Sequence, residues 1–463
     1  MSEQNAKHAI ELMRKYSHVY AMYIEYPHKS LWISEIGDKD YRKAVRDMLT
    51  ANPKTPILLY FHVPFCQKQC FYCTCHTYIT NNYAKIKSHL DHLFAEIDIF
   101  RRLVDDIFPG KNFMPNFKEI HLGGGSPTLL KQEDFDALTD KLASIVDFRN
   151  LKDFSIEIDP RNTNTDTLRY YHSKGINRIS FGIQDFDPDV QKAINRVQPV
   201  ELIEKLLSKE TRSYFHGINF DIMWGLPKQT LKSFKETIKT ALSLSPDRIS
   251  LLLMHYAPDV KKHQKLMDVS LCPPMEERTM LFDEAVQMLT DNGYIRIGLE
   301  HFAKPDDELA NALKKGSLHW NSLGYTSGNY SDVVAFGTGS ASTITSDYYF
   351  QNEYSLESYE NTVAKGLFPV FRGYRLNEDD KIRRAVIHSL RTYFKVAYSK
   401  IEDTFNINFT EYFEKEIMDL ATLMQDGILI IKDNNINVTE VGKYFIFQAC
   451  RVFDKYLNIQ EKK

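Results

Sequence analysis

The sequence predicts an α/β fold built as an open, partial (βα)6 barrel, because strand-like and helical segments alternate along most of the chain. Six apolar segments rich in β-branched and aromatic residues predict strands at 57–62, 118–122, 154–158, 178–181, 217–222 and 248–253. Helical periodicity occupies intervening segments, among them 83–101, 132–146, 165–174 and 231–244. Such alternation produces right-handed crossovers and a parallel sheet, whose carboxyl-terminal edge carries the functional residues in barrels of this kind.

A smaller unit follows the barrel. Its helical patterns at 379–395 and 409–425 precede an apolar run at 427–431, an Asp- and Asn-rich turn at 433–435 and a second short run at 436–438. These last segments predict a β-hairpin. Thr439 is placed to cap a final helix over 440–456. Helices followed by a hairpin resemble a winged-helix module, and the near-neutral charge favours a structural lid over DNA binding.

Composition limits the classes of protein to consider. At 463 residues, the chain has room for an N-terminal extension (1–55), a barrel with a substrate-site extension (56–375) and a C-terminal helical, winged-helix-like domain (376–463). A net charge of −3 gives no electrostatic basis for binding nucleic acid. No apolar run approaches the ~18 residues of a spanning helix, and residues 1–15 are polar. We therefore expect a cytoplasmic protein without stable membrane insertion.

Three cysteines, Cys66, Cys70 and Cys73, stand in a C-x3-C-x2-C run directly after the first predicted strand. Three thiolates can hold a [4Fe-4S] cluster and leave the fourth iron open for chemistry, whereas a pure electron carrier uses four. A zinc ribbon would need a second ligand pair, and Cys272 and Cys450 are single and far apart. A disulfide framework is implausible, because four of the six cysteines fall within ten residues. The remaining alternatives are a redox switch and a chance cluster of cysteines.

Two further motifs follow predicted strands. Gly124, Gly125 and Ser126 belong to a Gly-Gly-Gly-Ser turn after the second strand, where a backbone without side chains can approach a ligand closely. Glu157 alternates with two isoleucines, so we expect it to point into the barrel, where a carboxylate needs a cationic or hydrogen-bonding partner. That partner is either a ligand ammonium or an internal arginine such as Arg178.

Three more polar residues are candidates for ligand binding. Gln184 and Asp221 lie at the ends of predicted strands and can bond ribose hydroxyls. Arg196 can form a bidentate pair with a carboxylate. Each of the three could instead serve the scaffold alone.

The cysteine spacing, with the aromatic Tyr72 before the last cysteine, resembles the signature of the radical S-adenosylmethionine (SAM) superfamily. In that superfamily the open iron chelates the amino and carboxylate groups of SAM. An electron from the cluster then cleaves SAM to a 5′-deoxyadenosyl radical that abstracts hydrogen from carbon. The protein orients and shields this cofactor chemistry. The resemblance implies that the predicted barrel is a partial (βα)6 radical SAM barrel.

Nearly end to end, the chain resembles the oxygen-independent coproporphyrinogen III oxidases, with matches at 60–75, 123–128, 156–161, 182–186, 195–196, 225–230, 301–309 and 382–384. The resemblance implies a [4Fe-4S] cluster on Cys66, Cys70 and Cys73, with Cys75 not a ligand, and two SAM molecules in one cavity. Tyr60 and Glu157 are then the candidate catalytic residues. The residues expected around SAM are Tyr60, Tyr72, Gly124, Gly125, Ser126, Glu157, Gln184, Arg196 and Asp221.

Departures from the family's pattern set our expectation for the substrate. Ser322 and Leu323 stand where the family has a large aromatic residue and an amide, Ala341 replaces an isoleucine, and residues 22–29 lack an arginine. Losing a cation and making the pocket roomier and more apolar both argue against a porphyrinogen with four carboxylates. We therefore expect a class C radical SAM methyltransferase that methylates an sp2 ring carbon of an apolar acceptor such as menaquinone.

Two alternatives stay open. The first is the family's own reaction, the decarboxylation of coproporphyrinogen III in haem biosynthesis. The second is a haem-binding carrier, although that branch of the family tends to have Phe where this chain has Cys75, so the chain sides with the enzymes. We further expect a small-molecule ring substrate, an electron donor such as flavodoxin or ferredoxin, a monomer, and peripheral membrane contact if the substrate is a quinone.

Overall fold

The computed structural model describes residues 3–16, 23–328, 330 and 332–457. The six predicted strands are present as β1 (Ile57–Val63), β2 (Phe117–Gly124), β3 (Asp153–Ile158), β4 (Arg178–Gln184), β5 (Gly217–Trp224) and β6 (Arg248–Leu253). They pair in chain order, and every pair is parallel. The expected α/β fold with a partial (βα)6 barrel is therefore confirmed.

Helices cover the outside of these strands, at Tyr83–Ile107, Gln132–Leu142, Thr165–Ser173, Pro188–Ala193, Val200–Leu206, Lys209–Tyr214 and Leu231–Leu244. The first of them begins after Asn82, whose side chain accepts a hydrogen bond from the Ala84 amide at 3.0 Å. The core between sheet and helices contains fully buried aromatic and branched side chains such as Phe61, Ile120 and Phe220. This apolar layer fixes the strands and leaves their carboxyl-terminal ends to carry the polar residues.

The main sheet extends beyond the barrel on both sides. Val333–Phe336 pairs in parallel with β1 and is followed by antiparallel strands at Ala341–Ile344, Tyr348–Asn352 and Val370–Arg375. On the other side, antiparallel strands His301–Ala303 and Ile295–Ile297 follow β6. A separate hairpin joins His319–Asn321 to Gly324–Thr326. Strands this short leave too few residues for a periodic pattern in the sequence.

The remaining helices before the C-terminal unit are Glu3–Tyr16, Asp38–Ala51, Met275–Asp291, Glu308–Lys315 and Leu356–Ala364. In the N-terminal extension, Val45 and Leu49 pack into the barrel core, whereas Ala9 and Leu12 pack into the core of the C-terminal unit. The extension therefore joins the two units. No helix among the described residues is both long and apolar enough to cross a bilayer.

The C-terminal unit contains helices Glu378–Tyr393, Tyr398–Phe405, Phe409–Tyr412, Glu414–Asp419, Ala421–Gln425 and Ile446–Val452. The predicted hairpin is formed by Leu429–Lys432 and Asn435–Val438, and Lys395–Ala397 pairs with its second strand. Thr439 accepts a bond from the Gly442 amide at 2.9 Å, but a 3-10 turn precedes the last helix, which is shorter than expected. The helix expected over 409–425 is present as three short helices, with Phe413 and Leu420 between them, and both of these side chains are buried in the core of the unit.

Candidate active site

The carboxyl-terminal ends of the barrel strands surround a cavity of about 740 Å³. The three predicted cluster ligands, Cys66, Cys70 and Cys73, line it, and so does Cys75. Most of the predicted cofactor residues share the same wall: Tyr72, Gly124, Gly125, Glu157, Gln184, Arg196 and Asp221. The fold therefore gathers side chains from five different strand ends around one space.

The loop that carries the four cysteines, here called the cysteine loop (65–79), is held together where it begins and ends. Phe65–Cys66 pairs in parallel with Tyr78–Ile79, so the chain returns beside its own starting point. Gly125 packs directly against the start of this loop: a Cβ at Gly125 would lie 2.6 Å from the carbonyl oxygen of Phe65. Only a residue without a side chain permits this approach. The glycine-rich turn and the cysteine loop are therefore one packed unit.

A segment after β6 that the sequence analysis missed holds the other side of the cysteine loop. Its side chains donate to backbone carbonyls of the loop: Lys261 Nζ to Cys75 at 2.8 Å, His263 Nε2 to Cys73 at 2.7 Å and Gln264 Nε2 to Tyr72 at 2.9 Å. Gln264 is fully buried, and its Oε1 accepts from the Ala257 amide at 2.6 Å. The segment is polar and ordinary in composition, so no sequence signal pointed to it.

Two arginines flank the sulfur of Cys70. A guanidinium nitrogen of Arg196 lies 3.6 Å from this Sγ, and one of Arg161 lies 3.7 Å away. Asp159 accepts two bonds from Arg161, at 2.9 and 2.7 Å, and lies 3.6 Å from Arg196. Charge and hydrogen bonds at cluster sulfurs set the reduction potential of iron–sulfur sites. The arginine pair is therefore suited to an anionic cluster on this loop.

Glu157 is bonded within the cavity wall and remains accessible. Its Oε1 lies 3.2 Å from Nε2 of His121, its Oε2 accepts from the Gly124 amide at 3.1 Å, and the side chain is 41% exposed to the cavity. Arg178, considered as an internal partner, pairs instead with Asp153 at 3.3 Å. Desolvation raises the pKa of Glu157, but the bonds from His121 and Gly124 outweigh it and lower the pKa below its ordinary value. The carboxylate is thus ionised and available to a ligand ammonium.

Gln184 and Asp221 lie beside this carboxylate. Oε1 of Gln184 is buried and has no hydrogen-bond partner in the part of the chain that the structure describes. Asp221 accepts from Asn219 Nδ2 at 2.8 Å and from Ser180 Oγ at 3.0 Å. Burial, and then the charge of Glu157, raise the pKa of Asp221. A buried polar atom left without a partner costs stability unless a ligand bonds to it.

Two predicted cofactor residues lie behind the cavity wall. The hydroxyl of Tyr60 is 2.9 Å from Nδ1 of His62, and its ring stacks on that of His121 at a centroid distance of 5.9 Å. Ser126 is buried, and its hydroxyl is bonded to that of Thr128 at 3.0 Å. Both residues brace side chains or turns that form the wall.

The residues present fit a [4Fe-4S] cluster with SAM beside it. Among the described residues, no three His, Cys, Asp or Glu side chains converge as a site for a single metal ion would require. In a cluster each thiolate binds a different iron, so three thiols that share a wall without meeting at one point suit it. The unpartnered oxygen of Gln184 and the ionised Glu157 then face a polar, cationic ligand.

Of the three residues expected to shape the substrate pocket, two line the cavity. Ser322 and Leu323 are in its wall. Ala341 lies outside it, on a strand where it packs beside Trp32 and Tyr349. Its size therefore has no direct effect on the space available in this cavity.

The cavity wall contains positive groups that the sequence analysis did not assign, namely Arg296, Arg391 and Lys443. Arg391 is only 2% exposed, stacks over the Trp320 ring at 3.5 Å and has a nitrogen 3.6 Å from Oε1 of Glu300. Residues 22–29 differ from the family's pattern. Of these, Ile24 lines the cavity, and Met22 lies outside the described residues. The cavity wall therefore contains cationic groups even though residues 22–29 lack an arginine.

The parallel barrel and the thiol-lined cavity at its carboxyl-terminal edge define a radical SAM enzyme. The family model of the Radical SAM superfamily matches residues 60–241, and that of the HemN C-terminal domain matches residues 376–445. The chain belongs to the oxygen-independent coproporphyrinogen III oxidase (HemN) family. It uses a [4Fe-4S] cluster and two SAM molecules.

Relatives cover nearly the whole chain. The oxygen-independent coproporphyrinogen III oxidase of Synechocystis is 36% identical over 457 residues, 98% of this chain and 96% of the relative. That of Escherichia coli is 35% identical, over 99% of this chain and 97% of its own. The solved structure of coproporphyrinogen III oxidase (HemN) from Escherichia coli has a TM-score of 0.88 at 34% identity, covering 96% of this chain and 98% of that one.

These relatives overturn the expectation of methyl transfer to an apolar acceptor such as menaquinone, which was wrong. The expectation depended on Ser322, Leu323 and Ala341 and on one missing N-terminal cation. The structure weakens its physical basis: Ser322 and Leu323 line the cavity, but Ala341 is outside it, and Arg296 lines the cavity from another element. The first alternative, the reaction of the coproporphyrinogen III oxidases, is better supported.

Proposed function

We propose that this protein is an oxygen-independent coproporphyrinogen III oxidase, which converts two propionate side chains of the tetrapyrrole to vinyl groups with loss of carbon dioxide. The observation that carries the proposal is the similarity to curated oxidases, at 36% identity over 98% of the chain. A similarity of this extent includes the barrel, the cysteine loop and the C-terminal unit together. The cavity described above adds a chemical argument of its own.

When bound, the cluster and SAM supply the radical that removes a hydrogen atom from a propionate chain. Cys66, Cys70 and Cys73 are the residues that would hold the cluster. Glu157, kept ionised by its neighbours, would bind the ammonium of SAM, and Gln184 offers its unpartnered oxygen to a polar group. The tight contact between Gly125 and Phe65 fixes the glycine-rich turn beside the cysteines.

The cavity wall suits a tetrapyrrole that carries carboxylates. Arg296 lines it and donates to the carbonyl of Leu299, while Arg391 lies near Glu300 and Lys443 is paired with Glu440. Guanidinium groups pair well with carboxylates, so Arg296 is the group best placed to receive one. Trp320 and Phe282 contribute apolar surface to the same wall. A mostly apolar pocket with a few fixed polar groups is typical of a site for a small organic molecule.

The redox balance requires an electron donor to the cluster, for which flavodoxin or ferredoxin is our proposal. Each decarboxylation also leaves one electron that an acceptor must take up. We also propose that the protein acts as a monomer. The physiological donor and acceptor are part of the proposal and need separate identification.

Anaerobic growth rescue tests the proposed function. A bacterial strain that lacks its oxygen-independent coproporphyrinogen III oxidase should grow without oxygen when it expresses this chain. The Cys70→Ala variant is the control, and it should not rescue because it removes a cluster ligand. Failure of the wild-type chain to rescue, despite expression with its cluster intact, would contradict the proposal.

A further inference from the structure

A second cavity, of about 580 Å³, adjoins the first. It lies between the hairpin that contains His319–Asn321 and the first helix of the C-terminal unit, Glu378–Tyr393. Three residues, Ile24, Trp320 and Ser322, line both cavities. The wall between the two spaces is therefore no more than a few side chains thick.

The second cavity is positively charged. Lys381, Arg384 and Lys400 line it, and Glu25 is the carboxylate in its wall. Glu25 is paired with Lys29 at 3.2 Å. Within the described residues neither Arg384 nor Lys400 forms an ion pair: Arg384 donates to the carbonyl of Ser346 at 2.7 Å, and Lys400 lies over the Tyr393 ring. Two cations in this cavity are thus left without a carboxylate.

Buried polar atoms in the same wall also lack partners. Nδ2 of Asn321, in a residue only 8% exposed, makes no hydrogen bond within the described protein. The same holds for Nε2 of His388 and Oγ of Ser322. Native proteins pair most buried polar atoms, so three unpaired ones around a single cavity indicate a polar ligand.

The two histidines in this wall have lowered pKa values, in part because of the positive charges near them. Burial, and then the charges of Arg384 and Lys400, lower the pKa of His319 to about 4. The pKa of His388 lies well below its ordinary value, through burial and then the charge of Arg384. Both rings are therefore neutral near pH 7, and an anion in the cavity would offset the same charges.

The size of the first cavity is a reason to expect that the substrate extends into the second cavity. Pockets of ~300–1,000 Å³ typically hold one drug-sized ligand. The first cavity, at about 740 Å³, must receive two SAM molecules and leaves little room for a whole tetrapyrrole. A substrate seated there has carboxylates on flexible arms, and Trp320 and Ser322 belong to the shared wall at which the two cavities adjoin.

We propose that the second cavity is a carboxylate-binding extension of the active site, in which Arg384 and Lys400 hold propionate groups of the ring substrate that are not at the reacting position. The inference rests on the proposed function, since it takes the substrate to be a propionate-bearing tetrapyrrole. Arg384 offers planar N–H donors that match a carboxylate, and Lys400, an exposed residue, adds a second charge to the wall.

Equilibrium binding of coproporphyrin III to the reconstituted, SAM-loaded protein tests the proposal, with porphyrin fluorescence as the readout. Coproporphyrin III carries the same four propionates as the proposed substrate but does not react. Arg384→Met and Lys400→Met should each raise its Kd about tenfold, because a charge-assisted bond is lost. Lys395→Met is the matched control: this exposed lysine of the same unit lines neither cavity, and its Kd should stay within about twofold of wild type.

Two further measurements separate the possible outcomes. The uncharged tetramethyl ester of coproporphyrin should bind wild type and both variants equally weakly. SAM affinity should be unchanged in Lys400→Met, whose side chain makes no hydrogen bond among the described residues. Arg384→Met, by contrast, removes a bond to the carbonyl of Ser346. Weaker binding in Lys400→Met therefore cannot be ascribed to a folding defect. Variants that bind coproporphyrin III as tightly as wild type, or an ester that binds as tightly as the acid, would overturn the proposal.

The outcome also separates this inference from the proposed function. If wild type decarboxylates coproporphyrinogen III but both variants bind normally, the function stands and the carboxylate extension is wrong. If wild type binds coproporphyrin III through Arg384 and Lys400 but releases no carbon dioxide, the extension stands and the oxidase assignment is wrong.

Discussion

Oε1 of Glu157 lies 3.2 Å from Nε2 of His121, across two neighbouring parallel strands. The ring of His121 is held from its other side, where Nδ1 is 2.7 Å from Oγ of Ser155. The Gly124 amide occupies the second oxygen of Glu157. A carboxylate fixed in this way keeps its charge and its direction toward the cavity, which is why we propose it as the group that binds the ammonium of SAM.

Replacing Glu157 by Gln should weaken SAM binding while the fold persists. The amide keeps an oxygen for the Gly124 amide but loses the charge proposed to bind the SAM ammonium. We expect a loss of about 1.5–3 kcal/mol, or roughly tenfold to a hundredfold in affinity, measured by calorimetric titration of SAM. Glu204→Gln, an exposed carboxylate on an outer helix, is the control and should bind SAM normally. Unchanged SAM affinity together with a large fall in Tm would show a purely structural role.

Three of the four cysteines in the cysteine loop should be cluster ligands, and the fourth should not. Cys66→Ala, Cys70→Ala and Cys73→Ala should each abolish the cluster, because three thiolates are needed when SAM occupies the fourth iron. Cys75→Ala should keep it, although Cys75 lines the same cavity. Iron and sulfide content after anaerobic reconstitution, with the visible absorbance of thiolate-bound iron, measures the result. An intact, active cluster in Cys70→Ala would refute the ligand assignment.

Gln264 should be necessary for a stable cysteine loop. Gln264→Ala removes the donor to the Tyr72 and His255 carbonyls and the acceptor for the Ala257 amide, all around a fully buried position. We expect about 2–3 kcal/mol of destabilisation and a lower iron content at the same reconstitution conditions. Lys265→Ala, exposed and next in the chain, is the matched control. Full iron loading in Gln264→Ala would mean that the loop holds its shape without this brace.

Glu96 should make stability fall as pH rises. It is buried, accepts from the Gly337 amide, Asn352 and Tyr359, and burial raises its pKa from 4.5 to about 7. Between these values the unfolded chain releases the proton first, so the free energy of unfolding decreases with pH, by roughly 3 kcal/mol in total. Urea denaturation at about pH 5 and about pH 8 measures the change.

Glu96→Gln removes this titration and should therefore lose less stability than wild type between the two pH values. The exposed variant Glu204→Gln should retain the wild-type change. If Glu96→Gln and wild type lose equal stability over this range, Glu96 does not carry the raised pKa.

Sequence patterns located the parts of the site that lie close together in the chain. Cys66, Cys70 and Cys73 were recognisable because a cluster loop is short and its spacing is specific. Gln264 and Arg391 were not recognisable, because the role of each depends on a partner that only folding brings near. For Gln264 the partner is the Tyr72 carbonyl, and for Arg391 it is the Trp320 ring. The strand Val333–Phe336 was missed because four residues are too few to show a periodic pattern.

The substrate expectation failed for a related reason. Ser322, Leu323 and Ala341 were compared with a family pattern position by position, as if pocket character depended on each residue alone. Charge in a cavity is the sum over all the elements around it, and here the C-terminal unit contributes Arg391 and Lys443. Local changes in size and polarity could not reveal that contribution.

The most direct test of the account is carbon dioxide release from coproporphyrinogen III labelled in its propionate carboxyl groups, incubated anaerobically with reconstituted protein, SAM, a reductant for the cluster and an electron acceptor. We predict labelled carbon dioxide and 5′-deoxyadenosine in equal amounts, a product with vinyl groups, and no S-adenosylhomocysteine. The Cys70→Ala protein should release none. Consumption of SAM by the wild-type protein with no labelled carbon dioxide, while the cluster is intact, would contradict the assignment of this chain as a coproporphyrinogen III oxidase.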